Sequence, residues 1–105
     1  MIHKDKIEKY NGSMDELAED IGNLRYDALA DFLQNLAIKL QDDAHADNRR
    51  GRKKLSSALW VAGEQIELAS LKIEEAWEIS EPFMKKGKTP LIYDPAKNPP
   101  TGLQG

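Results

Sequence analysis

A chain of 105 residues has room for one small domain and not for two independent cores. With 40% hydrophobic and 31% charged residues it has the composition of a folded protein, and the absence of cysteine excludes a disulfide framework, a thiolate nucleophile and a cysteine-type zinc site. The net charge of −3 is segregated: residues 1–47 hold five basic against eleven acidic groups, residues 48–54 hold five basic and no acidic groups, and residues 55–105 hold five against seven. Such a chain is no general binder of polyanions, because its positive charge is confined to one island.

The first residues, MIHKDKIEKY, are charged from the third position and contain no apolar h-region. No stretch approaches the length needed to span a bilayer. A cytoplasmic protein without membrane contact is therefore expected, a reducing compartment being the simplest one for a chain without cysteine.

Asn11-Gly12 is a turn signal, and Ser13 with Glu16 forms a capping box in which each side chain satisfies an orphan backbone N–H. A first helix is expected from about 13 to 47. Its apolar stripe runs through Met14, Leu17, Ile21, Leu24 and Ala28 at spacings of three and four, then Phe32, Leu36 and Leu40 at spacings of four. No proline interrupts it. Asn48 and Gly51 favour the left-handed conformation that closes a helix, so a turn is predicted at about 48–51.

A second helix is predicted from about 52 to 86. Leu55, Leu59, Ala62, Ile66, Ala69, Ile73, Ala76, Ser80 and Phe83 alternate at spacings of four and three, which is a heptad seam with small residues every seventh position. Pro82 predicts a kink, or a restart from Ser80 as a new cap. Residues 88–105 hold four of the five prolines and no helical period, so they read as an extended or partly disordered tail that Leu91, Ile92 and Tyr93 would strap across the helices.

One unbroken rod through Gly51 would reach on the order of 100 Å at ~1.5 Å per residue and leave both stripes in water. The expected fold is therefore all-α: a long antiparallel hairpin over residues 1–87 that dimerises into a four-helix bundle. In that register Gly22 falls near Trp77 and Gly63 near Leu36, so each glycine becomes a notch for a large side chain. Arg25 falls level with Glu74 and Glu75, with Glu78 one turn away, and is expected to make a buried or half-buried ion pair that fixes the register.

Trp60, Val61, Leu68, Leu71 and Ile79 lie off the seam of the second helix and need a cover, which makes them the expected surface for a second copy or another protein. Arg49, Arg50, Arg52, Lys53 and Lys54 fall at the turn. Three of them sit at the positive end of the second helix, where something negative must offset them. Asp42, Asp43 and Asp47 are close enough in sequence to do so; the alternative is an external phosphate, which makes these five residues an anion or nucleic-acid site.

Signals for catalysis are weak. His45 stands among Asp42, Asp43 and Asp47 at helical spacing without a second histidine, and His3 is isolated, so no metal site is expected. Glu16 with Glu19, Glu64 with Glu67, Glu75 with Glu78, and Glu78 with Glu81 have the spacing with which all-helical nucleotide hydrolases hold magnesium, but periodicity assigns most of these pairs to solvent. No nucleophile stands with a base, and no glycine loop is built for phosphates. The leading expectation is a helical interaction module without a catalytic residue or cofactor. A nucleic-acid-associated regulator comes second and a metal-dependent hydrolase a distant third.

Overall fold

The computed structural model describes residues 3–85. The predicted tail at 88–105, with Leu91, Ile92 and Tyr93, lies outside them. The described chain is all-α, with three helices: α1 (Met14–Gly22), α2 (Tyr26–Arg49) and α3 (Lys53–Lys85). Among the described residues no helix is long and apolar enough to cross a membrane.

The capping box starts α1 as its sequence requires. The Glu16 N–H donates to Ser13 Oγ at 3.1 Å and the Ser13 N–H to Glu16 Oε1 at 2.7 Å, so two orphan donors are satisfied reciprocally. Upstream, the Tyr10 hydroxyl donates to Asp20 Oδ2 at 2.5 Å and ties the N-terminal segment to α1. That carboxylate holds the tyrosine proton and raises the hydroxyl pKa above its ordinary value.

The predicted first helix is not continuous. It breaks at Asn23, Leu24 and Arg25, where the Asn23 N–H reaches the carbonyls of Glu19 and Asp20, and Arg25 turns extended at φ −54°, ψ 144°. Gly22-Asn23 combines a poor helix former with a residue suited to ending a helix, and this local chemistry outweighs a periodic stripe that spans it. No residue of α1 is buried, and Met14 and Leu24 of the predicted stripe are exposed.

The long helices pack together closely, and their contacts step in opposite directions along the two chains. Ser56 meets Ala44, Gly63 meets Gln41 and Ala37, Ser70 meets Gln34, and Trp77 meets Arg25, so α2 and α3 run antiparallel. Small residues make the contact. Ala30, Ala37 and Ala44 recur every seven residues on α2 and are the only buried hydrophobic residues described, and they face Ser56, Gly63 and Ser70, also seven apart. Both rows fall on one line because a seven-residue step is nearly two whole turns.

The seam of α3 is thus rotated from the expected one. Leu59, Ala62, Ile66, Ile73 and Ala76 are only half-buried at its flank, and Leu55 and Ala69 are exposed. Close approach decides this: side chains without bulk let the backbones draw together. A Cβ added to Gly63 would lie 3.1 Å from the Ala37 carbonyl oxygen and 2.8 Å from Gln41 Cγ. Gly63 therefore receives the neighbouring backbone and not Leu36. Nothing lies within 4 Å of a Cβ at Gly22, so no notch for Trp77 exists there.

Serine hydroxyls in this tight seam need partners, and they have them. Ser56 Oγ donates to the Ala44 carbonyl at 2.7 Å, across the helices. Ser70 Oγ donates to the Glu67 carbonyl at 2.7 Å and lies 3.1 Å from the side-chain oxygen of Gln34. Among the described residues no buried side-chain polar atom is left without a hydrogen bond. At its far end α3 passes through Pro82 without interruption by a restart, with Ser80 inside the helix.

Candidate interaction surface

The turn between the long helices is a Schellman closure. Gly51 takes φ +80°, the Arg52 N–H reaches the Asp47 carbonyl at 2.9 Å, and the Gly51 N–H reaches the Asn48 carbonyl at 3.0 Å. Glycine suits this position because a Cβ in the left-handed region collides with its own backbone. The tight closure folds the basic run back over the end of α2. Arg52 Nη1 lies 3.2 Å from Asp47 Oδ1 and Arg50 Nη1 3.7 Å from the same oxygen, while Lys53 Nζ donates to Asn48 Oδ1 at 2.7 Å.

Of the three aspartates expected to offset the tip, only Asp47 meets it. This carboxylate is buried, whereas the arginines it binds are mostly in solvent. Asp43 is taken by Lys39 at 2.7 Å, one turn earlier on α2. Arg49 and Lys54 meet no carboxylate among the described residues.

His45 does not gather the aspartates around it. Its ring meets Trp60 edge to face, with centroids 5.3 Å apart. Among the described residues no three histidine or acidic side chains come together as metal ligands, the Glu-x-x-Glu pairs included.

Arg25 too departs from its expected pairing. It stands at the break before α2, largely exposed, and its partner is Asp27: Nε to Oδ1 at 2.6 Å and Nη2 to Oδ2 at 2.9 Å. Its guanidinium also lies 5.3 Å from the centre of the Trp77 ring, a cation–π contact that ties the start of α2 to α3. The predicted pairing with Glu74, Glu75 or Glu78 misses because the broken helix swings the side chain off the stripe. The arginine lowers the pKa of Asp27, through the hydrogen bond first, and Asp27 raises that of Arg25.

The surface predicted on α3 is exposed: Trp60, Val61, Leu68, Leu71 and Ile79 range from 38% to 63% accessible. They do not form one patch. Val61 and Leu68 share the side of α3 turned from α2, with Leu71 beside them, whereas Trp60 is engaged with His45.

A more continuous apolar surface lies along the groove between the helices. Three residues after each buried alanine come Leu33, Leu40 and then Asp47, and three after each seam residue of α3 come Leu59, Ile66 and Ile73. In an antiparallel pair these two flanks lie on the same side, since reversing one helix reverses the sense in which its residues wind. The leucines and isoleucines are half-buried there, and Leu36 beside them is 36% exposed. Four residues after the seam the chemistry changes to Gln34 and Gln41 on α2 and to Trp60, Glu67 and Glu74 on α3, so the opposite side is mainly polar. The contact of His45 with Trp60 lies on that polar side, as the same rule requires. Sequence reasoning missed Leu33 and the alanine row, although a seven-residue spacing of alanines was available as a signal.

Comparison with protein-family models, with curated proteins and with solved structures finds no match to this chain.

Proposed function

We propose that the chain is a small helical interaction module with no chemistry of its own, which acts in the cytoplasm by binding another macromolecule. Its hairpin pairs with a second copy into a four-helix bundle, and the outer side of α3 at Val61, Leu68 and Leu71 is left for a further protein. One observation carries this reading: the only hydrophobic residues buried among those described are Ala30, Ala37 and Ala44, while one side of the helix pair carries a row of leucines and isoleucines that the pair covers only in part. Alanine burial alone supplies little hydrophobic stabilisation, and a contiguous apolar side of this length is what interaction surfaces look like.

Light scattering and sedimentation at micromolar concentration test the proposal. A dimer is expected, and a strict monomer would end it. The nucleic-acid alternative keeps one observation in its favour, the absence of a carboxylate partner for Arg49 and Lys54 among the described residues. Binding of duplex DNA or of RNA that falls steeply with salt would promote it over the leading reading.

A further inference from the structure

Folding separates the charges of this chain along its length. At the turn, residues 49–54 present Arg49, Arg50, Arg52, Lys53 and Lys54, with the single buried carboxylate of Asp47 beneath them. The opposite end carries the other sign. Residues 25–31 and 72–85, which come together there through Arg25 and Trp77, hold six acidic groups against three basic ones. Between the two ends lies α2, whose 24 residues span about 36 Å at ~1.5 Å per residue. Screening at physiological salt cuts interactions off beyond about 8 Å, so the two ends cannot neutralise each other within one chain.

Resting on the proposed self-association, we propose that the second copy lies against the apolar side of the α2–α3 pair in the reverse direction, so that the basic tip of each copy stands beside the acidic end of the other. Three features select this occupant and this direction. The apolar side is self-complementary in kind, offering leucine and isoleucine at every seventh residue of each helix along its length, as an isologous contact requires. Helix layers pack 8–10 Å apart, about one screening length, which brings the ends of adjacent copies within reach of each other. The alternative direction stacks five basic groups on five and the acidic ends on each other, and like charges set side by side disfavour a register even where they do not change the apolar contact.

A twofold axis then crosses the pair near mid-length of α2, close to Ala37, and Leu36 of each copy lies near its own symmetry mate. The basic run becomes an orientation device directed at a second copy and needs no phosphate.

The chain has no cysteine, so single cysteines report unambiguously. Asn48→Cys carries a spin label to the tip, and pulsed electron paramagnetic resonance on the dimer measures the tip-to-tip separation. A distance of about 30 Å is expected, from the positions of the two tips along a pair of reversed helices. A distance within about 15 Å, appropriate to neighbouring tips in one direction, would overturn the arrangement and leave self-association standing. A monomer at micromolar concentration would remove both.

Charge exchange tests the cause. Arg49→Glu, Arg50→Glu, Lys53→Glu and Lys54→Glu together should raise the dimer Kd on the order of tenfold, the loss expected for about 1.4 kcal/mol of orientation-dependent attraction. Glu74→Lys, Glu75→Lys and Glu78→Lys together should do the same, and a mixture of the two variants should form a heterodimer at wild-type affinity. Because recovery in the mixture requires both variants to be folded, it separates charge from misfolding. A tip variant that dimerises as tightly as the wild type at low salt would overturn the role given to the charges.

Discussion

Replacing Gly63 by alanine sets two effects of known size against each other. Glycine inside a helix costs about 1 kcal/mol relative to alanine, so an unobstructed replacement would stabilise α3 by that amount. Here the new Cβ would stand 3.1 Å from the Ala37 carbonyl oxygen and 2.8 Å from Gln41 Cγ. The Gln41 stem can swing aside, but a backbone carbonyl moves only if α2 moves, and overpacking of this kind costs about 1–3 kcal/mol. With about 2 kcal/mol of crowding against about 1 kcal/mol of propensity, the net is a loss of about 1 kcal/mol. For a domain of this size that lowers Tm by about 4–8 °C. Far-UV circular dichroism during a thermal scan measures it, at one fixed protein concentration because association shifts Tm. Gly63→Leu should lose several times more, since the whole side chain would have to enter the seam. If Gly63→Ala instead raises Tm by about 4–8 °C, the backbone of α2 does not press on this residue and the alanine seam is misplaced.

Gly51→Ala should destabilise by about 1–2 kcal/mol because of the left-handed backbone, and Gly51→Asn by less, as read from urea denaturation. Asp47→Ala should cost about 1 kcal/mol by removing the acceptor shared by Arg50 and Arg52, whereas Asp43→Ala should cost less than about 0.5 kcal/mol, and equal losses would contradict the distinct role of Asp47. Leu36→Glu should give a folded monomer in light scattering, and a dimer unchanged by it would place the association surface elsewhere. Asp27 has a lowered folded-state pKa, so its contribution at the α1–α2 junction is present above the ordinary carboxylate range and is lost as pH falls through the lowered value; Arg25→Gln should flatten that acid-side loss in a pH series of melts. The Tyr10 hydroxyl, raised by Asp20, contributes below the ordinary tyrosine range and loses its contribution as pH rises through the raised value, which ultraviolet titration against Tyr10→Phe resolves.

Local chemistry was legible in the sequence wherever the atoms involved are close along the chain. The capping box at Ser13 and Glu16 needs only four consecutive residues, and the glycine closure at 51 needs one backbone position with φ above zero, so both follow from residue type and spacing. The all-α class follows in the same way from long periodic stretches with few breakers. Tertiary structure decided which stripe faces which. Periodicity ranks positions by hydrophobicity, and by that measure Leu59, Ile66 and Ile73 outrank Ser56, Gly63 and Ser70. Packing also counts how near two backbones can come, and the small residues win the seam because Ala30, Ala37 and Ala44 stand opposite them in the antiparallel register. The larger side chains are thereby turned to one open side, which is why the candidate surface lies along the groove at Leu33, Leu36, Leu40, Leu59, Ile66 and Ile73. The partner of Arg25 was hidden for a related reason: a three-residue break redirects its side chain to Asp27 and Trp77, and no helical period extends across a break.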